Sequence, residues 1–251
     1  MRETLYGRNA VYESLRAGRR QFYRLLLAET VRATDIVADT LRLAEAAGVP
    51  VERVPRRHLD WLSEANHQGV ILEASEYPYT DLDEILAEAH RRDEPPFLLL
   101  LDLLQDPQNV GSLLRTAEAV GVHGVVVQRR RAAGITPAVV HTSAGAVEHL
   151  RVAQVTNLPD AISRLEGRDV WVVGLENVRG ARRYDQADLS GPLALVVGSE
   201  GRGLRRLVQD RCDLMIYLPM VGQVTSLNAA VAGSVVLYEA WRQRGQRMGN
   251  E

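Results

Sequence analysis

Residues 97–104 read FLLLLDLL, an almost unbroken apolar run of the length of one strand. A strand that is apolar on both faces is typical of a parallel sheet covered by helices on both sides. Further candidate strands follow with helix-length gaps between them, at residues 124–128, 151–155, 169–175, 193–197 and 214–219. This order predicts an α/β fold built on a mostly parallel sheet.

Helical and strand patterns also alternate in residues 1–76, which we predict to form a small α/β domain of their own. Residues 77–96 hold one amphipathic helix, Leu82 to Arg92, between two proline breaks. We predict that they form a linker whose helix packs on the next domain. That second domain is predicted to span residues 97–245.

Composition excludes several classes of protein. Of 251 residues, 46% are hydrophobic and 25% are charged, and no apolar run approaches the roughly 20 residues needed to cross a bilayer. Cys212 is the only cysteine, so no internal disulfide can form, and no Cys/His cluster has the spacing of metal ligands. We therefore predict a cytoplasmic protein that holds no metal and does not enter a membrane.

The basic residues are all arginine, because the chain has no lysine and the 30 basic positions carry Arg. A net charge of −2 argues against a protein that binds nucleic acid through overall positive charge. Several arginines are nonetheless adjacent, as in Arg129-Arg130-Arg131 and Arg205-Arg206. Such clusters suit phosphate contacts in RNA, although a GC-rich genome and solvated surfaces explain each single cluster more simply.

Three segments repeat one arrangement of buried strand, polar or glycine-rich turn, and helix: Leu98 to Gly121, Leu195 to Leu207, and Met215 to Ser234. Ligands of open α/β sheets bind at the carboxyl ends of the strands, so the three turns can line one pocket. The second turn, GSEGRG, lacks the dinucleotide-binding spacing, and its acid Glu200 would repel a pyrophosphate. A ligand with a positive sulfonium and no phosphate, such as S-adenosylmethionine, suits it better.

The last helical pattern, Leu227 to Trp241, is apolar on all sides. A helix of this kind must be buried on all sides. A second subunit can provide part of that cover, which predicts a homodimer. The alternative is a helix buried between other elements of its own domain.

The three turns carry the sequences DPQNVGSLLRTAEAVG, VVGSEGRGL and LPMVGQVTSLNAAVA, which resemble the three motifs of the SpoU/TrmH group of RNA 2′-O-ribose methyltransferases in the SPOUT superfamily. The stretch TSAGAVEHLRV also fits this group, and the resemblance covers Phe97 to about Arg242. The stretches YGRNAVYESL and HQGVILEAS are similar, more loosely, to the N-terminal substrate-binding domain of the RlmB-type members. Relatives often have glycine where Leu103 stands.

This resemblance implies a C-terminal α/β domain tied in a deep trefoil knot, a small N-terminal domain of the L30e-like type, and a homodimer. It also implies that S-adenosylmethionine is bound and that a ribose 2′-oxygen of RNA is methylated. The RlmB type favours a guanosine of 23S, large-subunit ribosomal RNA as the target, with transfer RNA as the alternative. A non-catalytic RNA-binding dimer of the same fold is a further alternative, and an NAD-dependent enzyme is a distant third.

The resemblance also assigns site residues. The cofactor-binding positions are Gly198, Gly203, Leu218 and Leu227, and the catalytic positions are Asn109, Arg115, Glu200, Ser226 and Asn228. Our hypothesis is that Arg115 grips the RNA phosphate and stabilises the developing oxyanion, while Glu200 orients Arg115, because a guanidinium resists deprotonation.

Each catalytic position also has a purely structural explanation. Asn109 and Ser226 can be helix N-caps, and Asn228 can be an exposed residue of a first helical turn. Arg115 can pair with Glu118 three residues on, and Glu200 can favour the positive end of the following helix.

Overall fold

The computed structural model describes residues 2–32 and 34–248. Its strands are β1 (Arg2–Tyr6), β2 (Phe22–Ala28), β3 (Val51–Val54), β4 (Val70–Ser75), β5 (Phe97–Asp102), β6 (Gly124–Gln128), β7 (Val152–Val155), β8 (Trp171–Leu175), β9 (Arg182–Arg183), β10 (Leu193–Gly198) and β11 (Leu214–Tyr217). Its α-helices are α1 (Arg8–Ala17), α2 (Asp35–Ala46), α3 (Arg56–Leu62), α4 (Leu82–Arg91), α5 (Pro107–Ala119), α6 (Pro137–Thr142), α7 (Leu158–Glu166), α8 (Arg206–Gln209) and α9 (Ala229–Met248). Two short 3-10 helices cover Ala146–His149 and Tyr184–Gln186.

The first structural unit holds the residues up to 78 together with 135–149. Its four strands lie in the order β1-β4-β2-β3, with β4 antiparallel to both neighbours and β3 parallel to β2. The strand patterns at residues 22–29, 49–55 and 69–75 predict β2, β3 and β4. They miss β1, because the polar stretch RETLY shows no clear strand signal. Pairing with β4 along all five of its residues makes it a strand.

The segment 135–149 belongs to this unit although the predicted boundaries place it in the domain 97–245. A buried ion pair holds it there: Arg20 and Glu148 are both 0% exposed, with the guanidinium Nη2 2.7 Å from Oε1 of Glu148 and Nε donating to Oε2 at 3.0 Å. Glu3 lies 2.6 Å from Nη1 of the same arginine. Glu148 lies 128 residues from Arg20 in sequence, which is why periodicity gives no sign of their pairing.

The second unit holds residues 79–134 and the chain from 150 onward, and it is built on a seven-stranded parallel sheet. The strand order is β7-β6-β5-β10-β8-β11-β9, with every pairing parallel. All residues of β5 and β10 are buried, as the apolar runs predict for central strands covered on both faces. Helix α4 packs into this unit through Leu82 and Ile85, which share a buried cluster with Leu98 and Leu100 of β5.

The turn after β5 contains Leu103 in the left-handed region, at φ 57°. A side chain there costs roughly 1–2 kcal/mol relative to glycine. The Leu103 amide donates to Oε1 of Gln128 at 3.2 Å. This bond ties the turn to the end of β6.

The last helix begins at Ala229 and ends at Met248, later at both ends than the predicted span of Leu227 to Trp241. One face is buried against its own unit, where Gly233 approaches Leu113 of α5 and Val197 of β10, and Ser234 shares a hydrogen bond of 2.8 Å with Thr116. The other face leaves four large apolar side chains exposed: Val231, Val235, Tyr238 and Trp241. Within the described residues, no helix combines the length and apolarity that a membrane span requires.

Glu88 gives the second unit a predictable response to acid. Hydrogen bonds from Arg91 and then Arg92 lower the pKa of this carboxyl from 4.5 to about 2, and Arg151 Nη2 lies 2.9 Å away. Because the folded state holds the pKa below its unfolded value, the stabilisation is present above pH 4.5 and is lost as the pH falls towards 2. We expect wild type to be more stable than Glu88→Gln at pH 6 and this difference to shrink towards pH 2, measured by urea unfolding. A difference that stays constant over this range would contradict the expectation.

Candidate active site

A cavity of about 550 Å³ opens at the carboxyl ends of β8, β10 and β11. The turn after β10 and the segment that leads into α9 form part of its walls. Seven of the nine residues assigned by resemblance line it: Gly198, Glu200, Gly203, Leu218, Ser226, Leu227 and Asn228. The parallel sheet therefore brings the second and third motifs together, as the rule for ligand sites in open α/β sheets predicts.

Glu200 is the centre of a hydrogen-bond network at this cavity. Its Oε1 accepts from Nδ2 of Asn109 at 2.6 Å and from Nδ2 of Asn228 at 2.8 Å. The two asparagines are also joined directly, with Nδ2 of Asn228 donating to Oδ1 of Asn109 at 2.7 Å. One residue of each motif thus takes part, so the network joins all three turns.

Asn109 is placed by the start of α5 and is not its N-cap. Asp106 caps the helix, accepting from the amides of Gln108 and Asn109 at 3.2 Å each, and Pro107 occupies the first helical position. The Asp106 carboxylate also accepts from Nδ2 of Asn109 at 2.6 Å. The cap therefore fixes the amide group that reaches Glu200.

Asn228, and not Ser226, caps the last helix. Its Oδ1 accepts from the amides of Ala230 at 3.0 Å and Val231 at 3.2 Å. The same side chain gives its Nδ2 to Glu200 and Asn109, so one residue both starts α9 and completes the network. Ser226 lines the cavity without any hydrogen bond to another described residue.

Gly198 and Gly203 allow the turn after β10 to fold back on itself. The amide of Gly203 donates to the carbonyl of Ser199 at 2.9 Å, and that of Ser199 donates back at 3.2 Å. A Cβ atom on Gly198 would lie 2.4 Å from the Gly203 backbone, and Gly203 itself has φ +62°. The glycines therefore give this wall of the cavity a surface of main chain.

Two carboxylates that the motif comparison misses hold the far end of the same turn. Glu176 follows β8 and accepts from the amide of Leu204 at 2.8 Å; buried Asp102 ends β5 and accepts from the next amide, Arg205, at 2.9 Å. Asp102 also accepts from Nε of Arg205 at 2.8 Å. Since β5 and β8 flank β10, an acid at the carboxyl end of each flanking strand is the sequence signal that could have found them.

Arg115 is the assigned residue that neither lines the cavity nor joins the network around Glu200. It lies exposed on α5, outside the cavity lining, and among the described residues it pairs neither with Glu200 nor with Glu118. Within one chain, Glu200 is held by two side-chain amides. That Glu200 orients Arg115 stays a prediction.

The cavity has an unusual charge for a nucleotide site. Of the described residues that line it, Glu176 and Glu200 are acidic and none is basic. The remaining walls are main chain, small residues and apolar side chains such as Leu218 and Leu227. Such a lining disfavours phosphate and favours a neutral or cationic ligand.

Comparisons with known proteins agree with this geometry. The profile of the SpoU rRNA methylase family matches residues 96–238, and a profile described as RNA 2′-O ribose methyltransferase substrate binding matches residues 4–80. The two matches fall on the sequence ranges in which resemblance places a catalytic and a substrate-binding domain.

Individual relatives cover almost the whole chain. YacO of Bacillus subtilis, assigned to the TrmH family of tRNA/rRNA methyltransferases, is 45% identical over 241 residues, which cover 95% of this chain and 94% of that protein. The crystal structure of the SpoU methyltransferase AviRb from Streptomyces viridochromogenes in complex with AdoMet is similar with a TM-score of 0.81 and 26% identity, covering 98% of this chain and 91% of that one. An AdoMet-bound rRNA methyltransferase from Sinorhizobium meliloti has a TM-score of 0.78 and 25% identity, with 96% and 87% covered. The chain belongs to the SpoU/TrmH family of RNA methyltransferases.

Proposed function

We propose that this protein uses S-adenosylmethionine to methylate a ribose 2′-oxygen of RNA, and that its target is a guanosine of 23S ribosomal RNA. The observation that carries the proposal is a cavity whose described lining has two acidic residues and no basic residue. A hydrogen-bond network at this cavity connects all three motifs. The intact network also favours an enzyme over a non-catalytic RNA-binding dimer.

The residues present fit S-adenosylmethionine. Main chain at Gly198 and Gly203, with the apolar side chains of Leu218 and Leu227, would hold an uncharged adenosine. Glu176 and Glu200 supply negative charge for its cationic part. When bound, this cofactor supplies a methyl group on a positively charged sulfur.

We propose Glu200 as the residue that handles the proton of the ribose hydroxyl. Its Oε1 is occupied by two amides, while its Oε2 has no hydrogen-bond partner among the described residues. A carboxylate fixed in this way can accept the hydroxyl proton or orient it. Asn109 and Asn228 hold the carboxylate in one position, so the entropic cost of orienting it is not added to the activation barrier.

The deciding experiment transfers labelled methyl groups to RNA and digests the product with alkali. We expect the label in alkali-resistant dinucleotides of 23S RNA, because a 2′-O-methyl group blocks cleavage at that nucleotide. Label in transfer RNA would support the alternative substrate, since the description of YacO as a tRNA/rRNA methyltransferase includes both classes of RNA. Label on a base, or in no RNA tested, would defeat the proposal.

Arg115 tests how the RNA backbone is held. Its exposed guanidinium, without an ion pair to another described residue, suits a phosphate. We expect Arg115→Ala to weaken RNA binding and to lower the slope of log Kd against log salt by about 1. Arg115→Lys should keep the slope and the pH optimum while losing affinity, because the planar fork is lost. A near-normal rate with a shifted pH optimum in Arg115→Lys would instead indicate a titrating base.

The exposed face of α9 is our basis for proposing a homodimer. Tyr238 and Trp241 contact edge to face with ring centres 6.1 Å apart, and together with Val231 and Val235 they form one apolar stripe in water. Such a stripe is typical of a subunit interface, and the same stripe on a second copy is its natural cover.

Sedimentation tests the dimer directly. We expect twice the chain mass at micromolar concentration and a monomer for Val235→Arg, because an arginine at the centre of the stripe would be buried without a partner. Leu207→Arg, at an exposed position on α8, is the matched control and should stay dimeric. A monomeric wild type would contradict the proposal.

The trefoil knot and the cytoplasmic location stay predictions.

A further inference from the structure

Helix α3 of the first unit carries Trp61, the most exposed of the three tryptophans, at 82%. The helix is anchored by Leu59, which is fully buried in a cluster with Leu26 and Ile71. This anchoring leaves the indole outside the core on a fixed segment of backbone. An exposed tryptophan keeps a large apolar face in water, where it is available to stack on a ligand.

Basic side chains surround this indole on the helix surface. Arg57 lies four residues before Trp61, and His58 lies three residues before it. Both side chains are therefore neighbours of the indole on the helix surface. The acid of this helix, Asp60, is occupied: it lies 2.9 Å from Nε2 of His67 and 3.9 Å from Nε of Arg56. Arg57 has no ion pair with any residue that the structure describes. We name Arg57, His58 and Trp61 the α3 surface.

We propose that the α3 surface binds an unpaired nucleotide of the RNA substrate, with the base stacked on Trp61 and a phosphate held by Arg57. The inference rests on the RNA substrate of the proposed function. An indole face stacks on any base, and an uncompensated guanidinium is a phosphate ligand. The surface lies within the stretch that matches the substrate-binding profile, residues 4–80.

The surroundings favour RNA over a protein partner. The exposed residues beside Trp61 on this helix are charged or polar, and no second large apolar side chain of α3 is exposed. Protein interfaces have an apolar centre of several residues, whereas an aromatic ring among basic groups is typical of single-stranded nucleic acid sites. One nucleotide therefore fits this surface better than a second copy of the chain.

Binding of the full-length protein to a fluorescein-labelled oligouridine of about 12 nucleotides, measured by anisotropy, tests the inference. We expect Trp61→Ala to raise Kd by about 5- to 100-fold, and Trp61→Phe to keep much of the affinity. Trp171→Ala removes another exposed tryptophan, from the second unit, and should bind as wild type does. For an RNA duplex of equal length, Trp61→Ala should reduce the affinity much less, because the bases of a duplex are already stacked on one another.

Two further measurements separate stacking from indirect effects. Arg57→Ala should lower the slope of log Kd against log salt by about 1. In a variant that keeps only Trp61, through Trp171→Phe and Trp241→Phe, RNA should quench the tryptophan fluorescence. Unchanged binding by Trp61→Ala, absence of quenching, or a change of sedimentation mass in Trp61→Ala would each overturn the inference.

The tests also distinguish this inference from the proposed function. Trp61-dependent RNA binding without any methyl transfer by the wild type would defeat the function and leave the surface standing. Methyl transfer to RNA with the same KM in Trp61→Ala would support the function and defeat the surface. We expect Trp61→Ala to raise KM for RNA while kcat stays unchanged.

Discussion

Glu200→Gln is expected to lower kcat for methyl transfer by about 10²- to 10⁴-fold, the usual contribution of a side chain that handles a proton in the rate-limiting step. The glutamine carbonyl can still accept from Asn109 and Asn228, so the network is kept while the negative charge is lost. The loss in kcat should therefore exceed the loss in affinity for S-adenosylmethionine. Single-turnover kinetics with saturating RNA and calorimetry with the cofactor measure the two separately.

Glu118→Gln is the matched control, since it removes one exposed charge from α5 outside the network. It should leave kcat unchanged. Glu200→Ala removes the acceptor as well as the charge, so it should also loosen the two asparagines and weaken cofactor binding. A Glu200→Gln enzyme with nearly normal kcat would mean that Glu200 only holds the turns together.

Glu148→Ala is expected to lower the free energy of unfolding by about 3–5 kcal/mol, because it leaves the guanidinium of Arg20 buried without its main partner. The second carboxylate, Glu3, remains beside Nη1 and limits the loss. Urea unfolding followed by circular dichroism measures the change. Such a loss is a large fraction of the stability of an ordinary domain.

Two comparisons make this result specific. The double variant Arg20→Met with Glu148→Leu should be more stable than Glu148→Ala, because apolar residues in place of both charges remove the desolvation cost. Arg42→Ala breaks a largely exposed pair with Asp39 and should cost less than about 1 kcal/mol. Equal effects for the buried and the exposed pair would show that segment 135–149 is not held by the ion pair.

Local patterns were sufficient for six of the seven strands of the large sheet. The apolar run of β5 and the weaker runs of β6, β7, β8, β10 and β11 all form strands, and α4 matches its predicted span within one residue. The strand β9 and the strand β1 were missed. The first has two residues and the second depends on its partner β4, so neither leaves a periodic signal.

Helix caps show where local reasoning fails. Both Asn109 and Ser226 are acceptable N-caps by residue type, yet Asp106 and Asn228 take these roles. The alternatives lie within three residues of one another, and their propensities are nearly equal. Which residue becomes the N-cap depends on the backbone conformation of the preceding turn, because this fixes the residue at which the helix begins.

The sequence by itself determined the α/β class, the order of the strands along the chain, and the family, through three motifs whose turns follow buried strands. Tertiary structure alone decided the partners of Glu200, which come from 91 and 28 residues away and meet because parallel strands end at one edge of the sheet. It also placed segment 135–149 on the first unit and left Trp61 exposed. Periodicity records which face of an element is apolar, whereas hydrogen-bond partners and exposure depend on what packing brings beside each side chain.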